Sequence, residues 1–69
     1  MKNVNYNLVK TLHNTLDDIW RLEHYYVEDA KKAKCHSVSV MKRMMNQRKK
    51  DAKALVKEIK MRMDAGIFN

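Results

Sequence analysis

The stretch 33-AKCHSVSVMK-42 decides the fold, because its composition differs from that of the segments around it. Positions 35–40 hold Cys, His, two Ser and two Val, which form helices less readily than the Leu, Lys, Glu, Met and Ala that flank them. The chain has no proline, and its one glycine is Gly66, a composition typical of long helices. We therefore interpret the stretch as a turn between two helices. One continuous helix is the alternative, since no Gly or Pro interrupts the stretch.

The length of 69 residues allows one small domain, which is short for burying a stable core without a partner. A single cysteine excludes an internal disulfide and suits a reducing compartment. We interpret Cys35 as an exposed bystander thiol, with a reactive thiol as the alternative. The polar start of the chain has no signal peptide or membrane span, so we expect a cytoplasmic protein.

Apolar residues recur at helical spacing on both sides of the turn. The first stripe is Val9, Leu12, Leu16, Ile19, Tyr26, Ala30 and Ala33. Its neighbours widen the apolar arc to roughly 200°, which is more than one adjacent helix covers. The second stripe is Val38, Met41, Met45, Ala52, Leu55, Val56, Ile59 and Met63. Asn3 or Asn5 is expected to cap the first helix, and Gly66 is expected to end the second in a left-handed conformation.

A chain reversal between Cys35 and His36 would bring together residues whose numbers add up to about 71. This register sets most of the first stripe against apolar residues of the second. It also sets Glu23 opposite Arg48, and each is a charge within an apolar stripe. We expect these two to form a buried structural pair that fixes the register.

The predicted fold is all-α: an antiparallel two-helix hairpin with helix 1 at about 4–34, a turn at about 35–37 and helix 2 at about 38–65. Because the apolar arc of helix 1 is wide, we expect a homodimer that forms a four-helix bundle with coiled-coil-like seams. The residues expected at its interface are Trp20, Leu22, Tyr25, Tyr26, Val27 and Met44.

The net charge of +7 is concentrated in the second half of the chain. Residues 1–34 contain six basic and five acidic side chains, whereas residues 35–69 contain nine and three. The basic stripe of helix 2 consists of Lys42, Arg43, Lys49, Lys50, Lys53, Lys57 and Lys60. It could lie along nucleic-acid phosphates without reading the base sequence, although no aromatic residue and only one arginine belong to it. A solvated face, an acidic protein partner and an anionic membrane surface are the alternatives.

Catalytic and metal-binding patterns are weak. His13 with Asp17 and His24 with Glu28 are spaced i,i+4. Cys35 and His36 supply at most two metal ligands, whereas a structural zinc site needs four. The stretches 25-YYVEDAKKA-33 and 49-KKDAKAL-55 are faintly similar to ferritin-like hairpins. Helix 2 lacks the Glu-x-x-His ligand motif of that family, so the similarity implies at most a metal-free relative. We expect no cofactor, no metal and no enzymatic activity.

These patterns favour a small non-enzymatic interaction or scaffold module, which acts through self-association and a protein partner. The alternative is a nucleic-acid (DNA or RNA) binder that uses the basic stripe.

Overall fold

The computed structural model describes every residue from Met1 to Asn69. Helix α1 covers Asn3–Arg21, a π-helical turn covers Leu22–Tyr26, α2 covers Val27–Ala33 and α3 covers Ser37–Asp64. The first three run continuously and form the first arm, and α3 forms the second arm. The prediction of an all-α chain with two helices is therefore confirmed. Neither arm holds a segment that is both long and apolar enough to traverse a lipid bilayer.

The turn occupies residues 34–36, and the first arm ends in a Schellman motif. Lys34 has a left-handed backbone, with φ of 52°. Its N–H donates to the carbonyl of Lys31 at 3.1 Å, and the N–H of Cys35 donates to the carbonyl of Ala30 at 3.4 Å. A residue other than glycine therefore makes the reversal, one position earlier than the sequence predicts.

The arms run antiparallel, so both chain termini lie at the end of the hairpin opposite the turn, which we call the open end. There the N–H of Lys2 donates to the carbonyl of Asn69 at 2.8 Å. Gly66 ends α3 with φ of 73°, as predicted, in a second Schellman motif. In this motif the N–H of Ile67 donates to the carbonyl of Arg62 at 2.9 Å. The molecule is a rod 49 Å long and about 15 Å across.

Only six residues of the hairpin are buried, and two of them are polar. The seam of α1 alternates steps of three and four residues and consists of Asn5, Leu8, Leu12, Thr15, Ile19 and Leu22. Opposite it, Ala52 is the one buried residue of α3. The seam thus differs from the predicted stripe: Val9, Leu16 and Tyr26 are exposed, and Leu22 takes a place in the core.

The π-helical turn shifts the seam by one residue. The N–H of Val27 donates to the carbonyl of Leu22, five residues earlier rather than four. The seam consequently passes from Leu22 to Val27 in one step of five residues and continues to Ala30, and all three are buried. A single helical period along the whole first arm therefore predicts the wrong buried residues beyond this point.

Asn5 joins the two arms at the open end. Its amide donates to the carbonyls of Ile67 at 2.9 Å and Asn69 at 3.2 Å. Its side-chain oxygen accepts from Nε of Arg62 at 2.6 Å. The predicted capping role of Asn3 or Asn5 is therefore wrong, because α1 has no side-chain cap and Asn5 faces the second arm.

The predicted pair of Glu23 and Arg48 does not form. Glu23 instead contacts Lys49 at 2.7 Å, and Arg48 contacts Asp18 at 3.1 Å and Asp51 at 3.3 Å. The seam passes through Leu22 rather than Glu23, so Glu23 lies at the edge of the interface. The hydrogen bond from Lys49 lowers the pKa of Glu23. Both side chains of that pair are more than one third exposed, so the pair contributes little to stability.

Candidate interaction surface

The residues predicted to form a dimer interface divide into two groups. Leu22 and Val27 are 3% and 5% exposed, because they form the core of the hairpin itself. They are therefore not available to a second chain, and their assignment to an interface is wrong. The other four are exposed: Trp20, Tyr25, Tyr26 and Met44.

Four further apolar side chains lie at the surface, although the sequence stripes placed them in the hairpin core. Val9 and Leu16 belong to α1, and Val56 and Met63 belong to α3. Leu16 and Val56 are each 52% exposed. On each arm the two residues are seven positions apart, which is two helical turns, so they point to the same side.

The contact between Glu23 and Lys49 shows that these two pairs share one side of the hairpin. Moving two turns back from Glu23 along α1 leads to Leu16, and moving two turns forward from Lys49 along α3 leads to Val56. A further two turns lead to Val9 and Met63. The four side chains therefore form one strip along the hairpin. We call this strip, together with Trp20 at its edge, the open face.

Between the two rows of the open face lie seam residues that the hairpin covers incompletely. Leu12, Ile19 and Ile59 are half-buried, and only Ala52 is buried. Since alanine is small, the floor of the strip is low at this point. These residues lie between two exposed apolar rows, where a further helix can pack, and we call the space between the rows the channel.

Aromatic residues border the open face on the α1 side. The indole of Trp20 stacks on the His24 ring, with centroids 4.6 Å apart, and meets Tyr25 edge-on at 5.3 Å. Nδ1 of His24 is 2.9 Å from the carbonyl of Trp20, which fixes the histidine ring along the helix. This cluster gives the border a rigid apolar surface with few rotamers to immobilise on binding.

Lysines border the open face on the α3 side. Those within about 60° of Val56 on the helical wheel form the basic border: Lys42, Lys49, Lys53 and Lys60. The other members of the predicted basic stripe lie about 100° or more from Val56 and point away, and we call them the outer cations: Arg43, Lys50 and Lys57. The sequence stripe thus contains two surfaces with different neighbours.

Most of the basic stripe has no acidic partner within the chain. Lys49 pairs with Glu23, and Lys60 pairs with Asp64 at 3.3 Å. The remaining five members make no ion pair. Their charge is therefore available to an anionic partner.

The opposite side of the hairpin carries a groove of about 600 Å³, which both apolar and polar residues line. Its polar lining is largely satisfied from within: Arg48 bonds to Asp18 and Asp51, and the Thr15 hydroxyl donates to the carbonyl of Thr11 at 2.7 Å. No buried side-chain nitrogen or oxygen in the structure is without a hydrogen-bond partner. Of the charged residues in this lining, only Glu58 makes no ion pair within the chain.

The turn carries the thiol of Cys35. A hydrogen bond of 2.6 Å joins it to the Ser37 hydroxyl, and this bond lowers the pKa of the thiol. The structure contains no cluster of three or more His, Cys, Asp or Glu side chains suited to a metal ion. The i,i+4 pair of His24 and Glu28 does not form: Nδ1 of His24 faces the carbonyl of Trp20, and Glu28 pairs with Lys31.

Comparison of the chain with protein-family models, with curated proteins and with solved structures finds no match.

The residues of the open face carried a signal in the sequence that uniform periodicity obscured. Val9 and Leu16 on one arm, and Val56 and Met63 on the other, repeat at seven residues, as members of a second seam do. Asn5 and Thr15 hid the true seam, since polar residues are not expected there. Two of the three partners of Asn5 are backbone carbonyls beyond Gly66, and no residue pattern identifies those.

Proposed function

We propose that this chain is a non-enzymatic helical interaction module that acts by packing further helices against its open face. The observation that carries the proposal is the strip of Val9, Leu16, Val56 and Met63, exposed along a hairpin with only six buried residues. A continuous apolar strip on a small soluble domain marks a contact surface, because leaving it in water forgoes much of the apolar burial that the chain offers.

The homodimer expected from the sequence is one way to cover this surface. Two hairpins that meet through their open faces would form a four-helix bundle, with Trp20 at the margin of each interface. In this arrangement Leu22 and Val27 stay in the hairpin cores, and the open-face residues take the interface positions.

Sedimentation equilibrium over a range of concentrations tests the self-associating form of this function. We expect the wild-type chain to reach the dimer mass and the Leu16→Glu variant to remain a monomer, because a carboxylate would then lie within the apolar strip. Val40→Glu is the matched control, since Val40 is also exposed and apolar but lies outside the open face. A wild-type chain that stays monomeric throughout, or equal effects of the two variants, would contradict self-association through this surface.

Nucleic-acid binding is the second candidate function. It is favoured by the five cations of the basic stripe that make no ion pair within the chain. They follow α3 over about 22 Å, at roughly 1.5 Å per residue, and could contact successive phosphates. No aromatic residue lies among them, so base-specific readout is not expected.

A salt series with a labelled mixed-sequence duplex tests this candidate. Binding through the stripe predicts that log K falls with log salt at a slope of about −4, one unit for each phosphate contacted. Neutralising Lys50, Lys53 and Lys57 should flatten the slope. Absence of binding at low salt would exclude this function for the stripe.

A further inference from the structure

We propose that the preferred occupant of the open face is an acidic amphipathic helix from another protein. This inference rests on the proposed function, since it names the partner of the same surface. One helix lying in the channel between the arms would convert the hairpin into a three-helix bundle.

The two apolar rows beside the channel suit a single helix. The rows formed by Val9 with Leu16 and by Val56 with Met63 lie along its two sides, and Ala52 keeps its floor low. A guest helix with apolar residues at the a and d positions of a heptad would place them between these rows. The 49 Å length of the hairpin gives room for several turns.

The charge of the two borders differs, and this sets the chemistry of the guest. The α3 side carries the basic border, of which Lys42 and Lys53 make no ion pair. The α1 side carries the aromatic cluster of Trp20, His24 and Tyr25. A guest helix should therefore be acidic along the flank that meets α3 and apolar or neutral along the other. Such one-sided complementarity also fixes the direction of the guest.

A second copy of the chain matches these charges poorly. Six of its eight carboxylates already pair with cations of the same chain: Asp17, Asp18, Glu23, Glu28, Asp51 and Asp64. Ten of its fifteen Lys and Arg side chains make no ion pair. Pairing two such chains adds +7 to +7, whereas an acidic helix neutralises charge at the border. Charge complementarity therefore favours the foreign helix.

The probe that tests this is a synthetic helix of about four heptads, with Leu at a and d and Glu along one flank. A second peptide carries Lys in place of each Glu. Binding is followed through the fluorescence of Trp20, the single tryptophan, which lies at the edge of the open face. We expect the acidic peptide to bind one-to-one and at least about tenfold more tightly than its basic counterpart.

Two double variants separate the border from the overall charge. Lys42→Glu with Lys53→Glu should weaken binding of the acidic peptide about tenfold, because both lysines line the open face. Lys50→Glu with Lys57→Glu makes the same change of charge among the outer cations and should alter binding less than about threefold. Circular dichroism is the control that each variant is still helical.

Three results would overturn the inference: equal affinity for both peptides, equal losses in the two double variants, or displacement of the acidic peptide from the lysines by a DNA duplex that binds more tightly.

The Leu16→Glu variant distinguishes failure of this inference from failure of the proposed function. If it leaves both peptide binding and solution mass unchanged, the open face is not an interaction surface at all. If it abolishes self-association while the acidic peptide is not preferred, only the choice of partner is wrong.

Discussion

At the open end the arms of the hairpin meet through Asn5, whereas near the turn they meet through Leu22, Val27 and Ala30. Asn5 is buried by hydrogen bonds to a guanidinium and to two carbonyls of the other arm. The residues near the turn are buried by apolar packing alone. Apolar packing tolerates small shifts in position, but a hydrogen-bonded amide requires its partners at fixed distances and angles. We infer that Asn5 sets the alignment of the arms and that the apolar end supplies more of the stability.

The largest effect should come from the apolar end. Leu22→Ala is expected to lower the free energy of unfolding by about 3 kcal/mol, because it leaves a cavity in a small core. Leu16→Ala is the matched control and should cost less than about 1 kcal/mol in the monomer, since that side chain is half exposed. Urea unfolding followed by circular dichroism measures both. Equal losses would contradict the assignment of Leu22 to the core and Leu16 to the surface.

Asn5→Ala should cost about 2 kcal/mol, because it removes three hydrogen bonds and leaves Arg62 without its acceptor. We also expect faster amide hydrogen exchange at Ile67, since the chain beyond Gly66 loses two hydrogen bonds to the first arm and keeps the one from Lys2. Asn7→Ala is the control, because Asn7 is exposed and its side chain makes no hydrogen bond across the hairpin. Protection at Ile67 that survives in Asn5→Ala would show that Asn5 does not hold the open end.

Each arm ends in a Schellman motif with a left-handed residue, which is Lys34 in the first arm and Gly66 in the second. The same motif can therefore be tested at both ends of the hairpin. Gly66→Ala should lower the free energy of unfolding by about 1 kcal/mol, since an L side chain disfavours this backbone even though no atom lies within 4 Å of the added Cβ. Lys34→Gly should raise it by about 0.5 kcal/mol, because glycine adopts the left-handed region freely but loses more entropy on folding. We expect opposite signs for the two variants when their thermal unfolding is compared with that of the wild type. Equal signs would show that the motifs are not equivalent.

The smallest effect concerns the ion pair between Glu23 and Lys49, close to the apolar end. Lys49 lowers the pKa of Glu23, so the pair stabilises the fold above the ordinary pKa of a glutamate, and this contribution is lost as the pH falls through the lowered value. Glu23→Gln should therefore be slightly less stable than the wild type at neutral pH. The two unfolding curves should converge in acid. A difference that persists at low pH would indicate a role for Glu23 other than charge pairing.

Much of the fold follows from composition and spacing. The weak helix formers at 35–40, the absence of proline and the place of Gly66 were sufficient for two helices and a reversal. The seam of α1 did not follow, because Thr15 takes a core place by donating to its own helix, at the carbonyl of Thr11. Such a bond satisfies a polar side chain without any partner that a sequence pattern identifies.

The sequence predicted that an apolar surface would be left exposed, but not which residues form it. The sequence indicated an apolar arc too wide for one neighbouring helix, and an open face is present. The sequence placed Val9 and Leu16 in the core because Thr15 was not expected there. It placed Tyr26 in the core because it could not show the extra residue between Leu22 and Val27. A hydrogen bond shifted from four to five residues leaves no trace in composition.

The π-helical turn also predicts where the chain tolerates a change of length. Loss of one residue at 23–26 would bring the following segment one position closer, so the step from Leu22 to the present Val27 would become four residues. The alternation of three and four would then run unbroken along the whole first arm. A deletion within α1 would instead rotate every later side chain of the first arm by about 100° relative to the residues before it, and this would destroy the seam. The chain therefore contains one residue more than the seam requires at this point, and a chain shortened there should still fold as a hairpin.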